Sequence, residues 1–387
     1  MTIHMSIIAG TEELAEFCTR AANFQYITVD TEFIREKTYW PHLCLVQIGT
    51  PGEAKVIDAL SHGIDLSPLF QLFANKDVLK VFHAARQDIE IFVHLSGEVP
   101  RPIFDTQIAA MVCGYGDAVG YERLVSDIAK VSIDKSMRFT DWTKRPLNNK
   151  QIEYALGDVT HLREVYAYLS RKLEDNGRTE WLSEEMGILS NTETYVVMPE
   201  DAWKRLKIRN KKPAFIENLQ AIAEWREKTA QKLDVPRNRV LKDDSLIEIA
   251  MHVPRSIDEI FRLRAIKRDR INSEKGRALL QILDAVRRHD GKQYPKPPKE
   301  NIIKAHLGPS IDLLKVLLKY KCDTHKVAQK LIASSRDIEK LASNDHADIP
   351  ALVGWRFDVY GRDALRLKRG EIALTAAGTQ LRIIETE

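Results

Sequence analysis

Cysteine is scarce in this 387-residue chain: Cys18, Cys44, Cys113 and Cys322 stand far apart, with no Cys-x-x-Cys and no Cys/His ligand spacing. Neither a zinc site nor a disulfide framework is indicated, and the four read as buried thiols. Long apolar runs are missing as well, and the opening MTIHMSIIAGTEELAEF lacks the basic start and apolar core of a secretion signal. A cytoplasmic protein without membrane contact is therefore expected. There is no low-complexity tract. With 44% hydrophobic and 29% charged residues, the composition suits a soluble protein of two or three domains.

Net charge is a modest +3, but it is unevenly spread. Residues 1–190 carry 19 Lys and Arg against 27 Asp and Glu, whereas residues 191–387 carry 39 against 28. The excess concentrates in 204–299, with 25 basic and 13 acidic residues. A basic module beside an acidic one suggests that one part holds a polyanion while another acts on it. A solvated helical surface is the plainer alternative, since Lys and Arg are ordinary helix formers.

The segment YITVDTEF (26–33) alternates like a β-strand, yet Asp30 and Glu32 lie two apart and so point to one face. Like charges in that arrangement repel unless a cation lies between them, and a divalent ion is the usual partner for such hard oxygen ligands. An exposed strand face carrying its acids singly in water is the other possibility.

LCLVQIGT (43–50) and AKVIDAL (54–60) continue the alternation, predicting a three-strand meander. DVLKVFHAA (77–85) reads as a buried strand entering a helix that Gly97 ends, and 104–116 and 120–132 read as two short helical units. Such mixing predicts an α/β domain with a mixed sheet. The longest clean helix is expected over 146–177, with Asn148 or Asn149 as N-cap and Gly177 as terminator. Its Ile152, Leu156, Val159, Leu162, Val165, Tyr166 and Leu169 recur at helical spacing, while Tyr154 and Asp158, four apart, share another face. Beyond 190 the pattern is helical, interrupted by the proline-rich HDGKQYPKPPKEN (289–301), which reads as a linker. The final GEIALTAAGTQLRIIETE fits either a short hairpin or a loose tail.

Taken in order, VDTEF, HAARQDIEIF and YALGD resemble the three motifs of the DEDDy 3′→5′ exonucleases. The resemblance implies a ribonuclease H-like fold and makes Asp30, Glu32, Asp88 and Asp158 the metal-binding carboxylates, with Tyr154 as the tyrosine of the third motif. It further implies two Mg²⁺ or Mn²⁺ ions, no protein nucleophile, and a tyrosine that orients the attacking water rather than acting as a base. His83, Lys144 and Arg145 are candidate substrate contacts, and Phe33 and Tyr39 candidate stacking partners for a terminal base. Asp105 in FDTQ reads as a helix cap and stays outside the metal set.

Residues 215–263 are similar to an HRDC domain through Leu219, Trp225, Arg226, Ala230, Pro236, Leu246, Ile249, Ala250 and Pro254. Residues 313–344 resemble a second, divergent copy that lacks the Trp-Arg pair. The expected organisation is an exonuclease domain (1–190), a basic HRDC domain (205–292) and an HRDC-like domain (300–387), both of the latter all-α. That architecture resembles the bacterial ribonuclease D family. It implies a monomeric, metal-dependent 3′→5′ exoribonuclease acting on tRNA precursors or other structured RNA with a single-stranded 3′ tail. A DEDDy exodeoxyribonuclease of DNA repair would carry the same five residues, and a non-catalytic RNA-binding factor is the remaining alternative.

Overall fold

The computed structural model describes residues 7–134, 136–266, 273–288 and 305–386; the linker expected over 289–301 lies outside the described residues. The described residues fall into two compact units, one within Met1–Glu32, Cys44–Asn191 and Asn301–Glu387, the other within Phe33–Leu43 and Thr192–Glu300.

The first unit begins with β1 (Ile7–Ile8), α1 (Thr11–Ala21), β2 (Tyr26–Ile34), β3 (His42–Gly49), β4 (Ala54–Asp58) and α2 (Ser67–Ala74). It continues through β5 (Leu79–Phe82), α3 (Arg86–Ser96), β6 (Ile103–Asp105), α4 (Thr106–Val112), α5 (Tyr121–Ile128), α6 (Asn149–Asp175) and α7 (Thr179–Leu189). The sheet order is β1-β4-β3-β2-β5-β6. β3 runs antiparallel to β4, while β1 with β4, β2 with β5 and β5 with β6 are parallel, so the sheet is mixed as expected. Strand β1 contributes only two residues, too few for alternation to announce it.

Ile27 and Val29 of β2 are fully buried. Each such side chain contributes about 1.5–3 kcal/mol on leaving water, which offsets the cost of gathering acids on the strand's other face. The segment from 104 is not helical from its start: Ile103–Asp105 pair with β5 as strand β6. The helix begins one residue later because the Asp105 carboxylate accepts from the backbone N–H of Gln107 (2.8 Å) and Ile108 (3.4 Å). α6 opens with a capping box between Asn148 and Gln151 and gives way to Gly177 at φ +63°.

The second unit holds α8 (Pro213–Lys232), α9 (Arg237–Val240), α10 (Asp243–His252), α11 (Ile257–Arg262) and α12 (Ser273–Arg288). Leu219, Ile222, Leu246, Ile249, Leu279 and Leu283 form its core, with Trp225 packed partly buried against it. Tyr39 belongs to this unit and is only 3% exposed. Its hydroxyl donates to the buried Glu227 carboxylate and accepts from Gln231 (3.1 Å) and Arg237 (2.8 Å). The backbone N–H groups of Tyr39 and Trp40 both donate to Asp234 at 3.0 Å. A role for Tyr39 as a stacking surface is thereby corrected, because its ring is packed inside this unit.

Returning to the first unit, α13 (Gly308–His325), α14 (Gln329–Ile332), α15 (Ser335–Ser343), α16 (Gly354–Arg356) and α17 (Arg362–Arg369) precede an antiparallel hairpin of β7 (Ile372–Ala377) and β8 (Gln380–Glu385). The closing segment is thus the hairpin of the two alternatives. These helices dock on α4 and α7. Arg178 donates to the carbonyls of His325 (2.6 Å) and Lys326 (3.2 Å), Trp181 stacks on Trp355 at 4.2 Å, and Arg356 pairs with Glu184 and Glu185.

Candidate active site

Strand β2 and helix α6 meet through Thr28. Its hydroxyl lies 2.7 Å from the Val159 carbonyl and 3.3 Å from the Gly49 carbonyl, and the guanidinium of Arg163 donates to the Thr50 carbonyl. Gly49 permits the approach, since a Cβ there would come within 2.5 Å of Thr28 Oγ1 and 3.0 Å of the Val159 carbonyl. With the two elements joined at Thr28 and Val159, Asp30 and Asp158 are brought face to face. One carboxylate oxygen from each of Asp30, Glu32 and Asp158 lies within 4.8 Å of the other two.

Asp88 reaches the same region from α3 but is held differently. The Asp105 carboxylate accepts from the N–H groups of Ala84 (3.0 Å) and Ala85 (2.9 Å), fixing the turn that launches α3. Asp88 is then 7% exposed and accepts a hydrogen bond from the hydroxyl of Thr31, the residue between Asp30 and Glu32. Of the four acids singled out in the sequence, three converge and the fourth stands beside them, restrained by Thr31.

Every one of these acids is pushed toward its protonated form. Burial raises Asp30 well above the usual carboxylate range, and the Asp158 charge adds to it. Burial and then the charges of Asp30, Asp158 and Asp88 carry Glu32 to about 10. Asp158 is raised by burial, partly relieved by a hydrogen bond from the Tyr154 hydroxyl, and Asp88 is raised by burial and by Asp30. A concentration of unmet negative charge on hard oxygen donors is what a divalent cation relieves, so the donor set fits one. Tyr154 is itself pushed up by burial and by Asp158, Glu32 and Asp30. It stays a phenol at neutral pH and can donate a hydrogen bond but not accept a proton.

A pocket of about 450 Å³ opens over these groups, lined among others by Asp30, His83, Tyr121, Arg138, Tyr154 and Asp158. Tyr121 donates to the carbonyl of Asp158 (2.7 Å), and its ring lies 5.4 Å from His83. His83, whose Nδ1 lies 3.0 Å from the Thr106 hydroxyl, is driven down to about 4 by burial, so it enters the pocket as a neutral ring. Arg145 is engaged elsewhere. Its guanidinium makes two bonds to Asp58 (2.6 and 2.5 Å) and further bonds to the carbonyls of Trp142, Lys144 and Cys44. Lys144 is exposed in the loop before α6, and neither residue lines the pocket. Tyr121, Arg138 and Thr31 are not singled out by the sequence, because a lone Tyr, Arg or Thr carries no chemical signature of its own, inside a periodic segment or outside one.

The 3′–5′ exonuclease family matches residues 5–174 and the HRDC domain family matches residues 216–283. The chain is 50% identical over 385 residues to ribonuclease D of Jannaschia sp. (strain CCS1), covering 98% of this chain and 99% of that protein. It is 48% identical over 372 residues to ribonuclease D of Nitrobacter hamburgensis, covering 96% and 97%. Among solved structures it resembles Escherichia coli RNase D, described as an exoribonuclease involved in structured RNA processing, with a TM-score of 0.81 and 29% identity over 94% of this chain and 98% of that one.

Proposed function

The chain belongs to the ribonuclease D family of 3′→5′ exoribonucleases, and from that premise we propose that Asp30, Glu32, Asp88 and Asp158 hold two divalent cations, Mg²⁺ or Mn²⁺, at which single nucleotides are hydrolysed from an RNA 3′ end. The observation that carries this reading is the convergence of Asp30, Glu32 and Asp158 to within 4.8 Å. Bound cations would lower the pKa of the attacking water and screen the phosphate charge. The chain's own part is positional. Asp30 and Glu32 are fixed by a strand, Asp158 by a helix tied to that strand, and the Tyr154 hydroxyl, hydrogen-bonded to Asp158, orients the water for in-line attack. The water oxygen joins phosphorus, the preceding 3′ oxygen leaves with a proton, and a nucleoside 5′-monophosphate is released.

We assign the body of a folded RNA, with tRNA precursors as the substrate class, to the basic unit. Support comes from the charge excess over 204–299, where Lys204, Arg205, Lys207, Arg209 and Lys212 are all exposed. Residues 300–387 we read as a divergent second HRDC-like domain. In support, α13, α14 and α15 repeat the order of α8, α9 and α10: a long helix, a four-residue helix and one of nine or ten residues. A residue at positive φ follows the long helix in both, Asp234 (+47°) and Lys326 (+50°).

A gel time course of the full chain with Mg²⁺ or Mn²⁺ on a 3′-tailed tRNA and a matched DNA strand, with Asp30→Asn as control, tests the proposal. Stepwise shortening of the RNA that disappears in the variant is expected. Undiminished digestion by Asp30→Asn would sink the site assignment, and preferred digestion of DNA would sink the RNA substrate.

A further inference from the structure

Phe139 is 91% exposed; the next of the exposed large apolar side chains among the described residues, Val353, is 66% exposed. A single exposed apolar residue needs no explanation by itself. Here a second observation gives it one. Its neighbour Arg138 lines the pocket that holds Asp30, Tyr154 and Asp158, and the Arg138 guanidinium sits 5.4 Å from the Phe139 ring centroid. The loop is anchored on its C-terminal side. The Thr140 N–H donates to the Met137 carbonyl at 3.0 Å, Thr140 Oγ1 accepts from Gln151 at 3.1 Å, and the buried Trp142 ring lies 6.2 Å from Tyr154. Phe139 itself does not line the pocket; its exposed ring stands beside Arg138, which does.

We propose that Arg138 and Phe139 form a subsite for the nucleotide immediately 5′ to the scissile phosphate, the ring stacking on its base and the guanidinium meeting backbone phosphate. The inference rests on the site reading above, which places the terminal nucleotide at the carboxylates and hence the preceding one toward the rim. A phenyl ring and an arginine are the pair that recognises single-stranded nucleic acid without reading sequence: every base has a face to stack, and a guanidinium bonds phosphate in two places. Such a subsite favours a frayed tail over a paired end, because a base must leave its helix to stack on Phe139.

The test pairs two enzymes with two substrates in the full chain. One oligoribonucleotide is intact and the other lacks only the base next to its 3′-terminal nucleotide. On the intact strand Phe139→Ala is expected to lower kcat/KM about tenfold, chiefly through KM, and Phe139→Trp to stay near wild type. On the abasic strand, wild type and Phe139→Ala should be equal. Equal rates on the intact strand, or the same loss on both strands, would overturn the proposal, the latter by showing that the loop had merely been distorted. Binding of both strands by the Asp30→Asn chain, followed by fluorescence anisotropy, repeats the comparison without hydrolysis. A base-dependent contribution from Phe139 there supports the subsite, and its absence overturns it, whatever becomes of the carboxylate assignment.

Discussion

The Thr28 hydroxyl lies 2.7 Å from the carbonyl of Val159, a residue 131 positions further along the chain. This one hydrogen bond ties the strand carrying Asp30 and Glu32 to the helix carrying Tyr154 and Asp158. Gly49 leaves the space it needs. Gly49→Ala should therefore force strand and helix apart by a few tenths of an ångström, costing about 1–3 kcal/mol of stability. Activity should fall more than binding, because positioning is what the contact supplies. Denaturant unfolding and steady-state kinetics on one RNA check both; a variant matching wild type in each would refute the role given to the contact.

Replacing Asp30 or Asp158 by Asn should abolish hydrolysis, spare RNA binding and stabilise the metal-free chain. Burial and mutual repulsion raise both carboxyls in the folded state. Removing one charge relieves repulsion, and the melting temperature in EDTA should rise by roughly 2–4 °C per kcal/mol relieved. A carboxyl whose folded pKa exceeds its unfolded value binds extra protons when folded, so its contribution is complete below about pH 4 and is lost as pH rises. For Glu32 the loss extends to about 10. The wild-type melting temperature in EDTA should hence fall between acidic and alkaline pH, less so in Asp30→Asn, and Mn²⁺ should flatten the decline.

Tyr154→Phe keeps the ring and removes only the hydroxyl that bonds Asp158. The expected result is a loss of kcat on the order of 10²-fold with RNA affinity unchanged. Because the phenol is held far from ionisation, kcat of the wild type should show no alkaline limb that Tyr154→Phe removes. Such a limb, measured across pH 7–10, would make the tyrosine a base after all.

Within the second unit, Arg237 pairs with the fully buried Glu227 through bonds of 2.6 Å to each carboxylate oxygen. Arg237→Met removes the close cationic partner of that charge, leaving it the Tyr39 hydroxyl and the more distant Arg205, and should cost about 3–5 kcal/mol, while adding Glu227→Gln should recover part of it. Tryptophan fluorescence during urea unfolding reports on this unit through Trp40, Trp203 and Trp225. No recovery in the double variant would show that the pair is not the source of the loss.

If the exposed basic segment contacts RNA phosphates, the triple change Lys207→Gln, Arg209→Gln and Lys212→Gln should weaken binding and flatten its salt dependence. The slope of log K against log salt should shrink by about 2–3 for three lost phosphate contacts. Cleavage of a short single-stranded tail should be barely affected, separating the holding surface from the site.

Local periodicity determined much of this on its own. A repeat of two placed Asp30 and Glu32 on one face of β2, and a repeat of 3.6 put Tyr154 and Asp158 one turn apart on α6, since side-chain direction in regular structure follows from position alone. The motifs around them sufficed to indicate the family. What no local pattern encodes is which distant residue satisfies a buried polar group. Thr31 meets Asp88 across 57 positions, Asp58 takes Arg145 across 87, and Glu227 takes Tyr39 across 188. Those pairings decided that Asp88 stands aside from the other three acids, that Arg145 braces the fold rather than lining the pocket, and that Tyr39 is core. They form only when packing has removed water and a donor and an acceptor must find each other, which is a property of the folded whole.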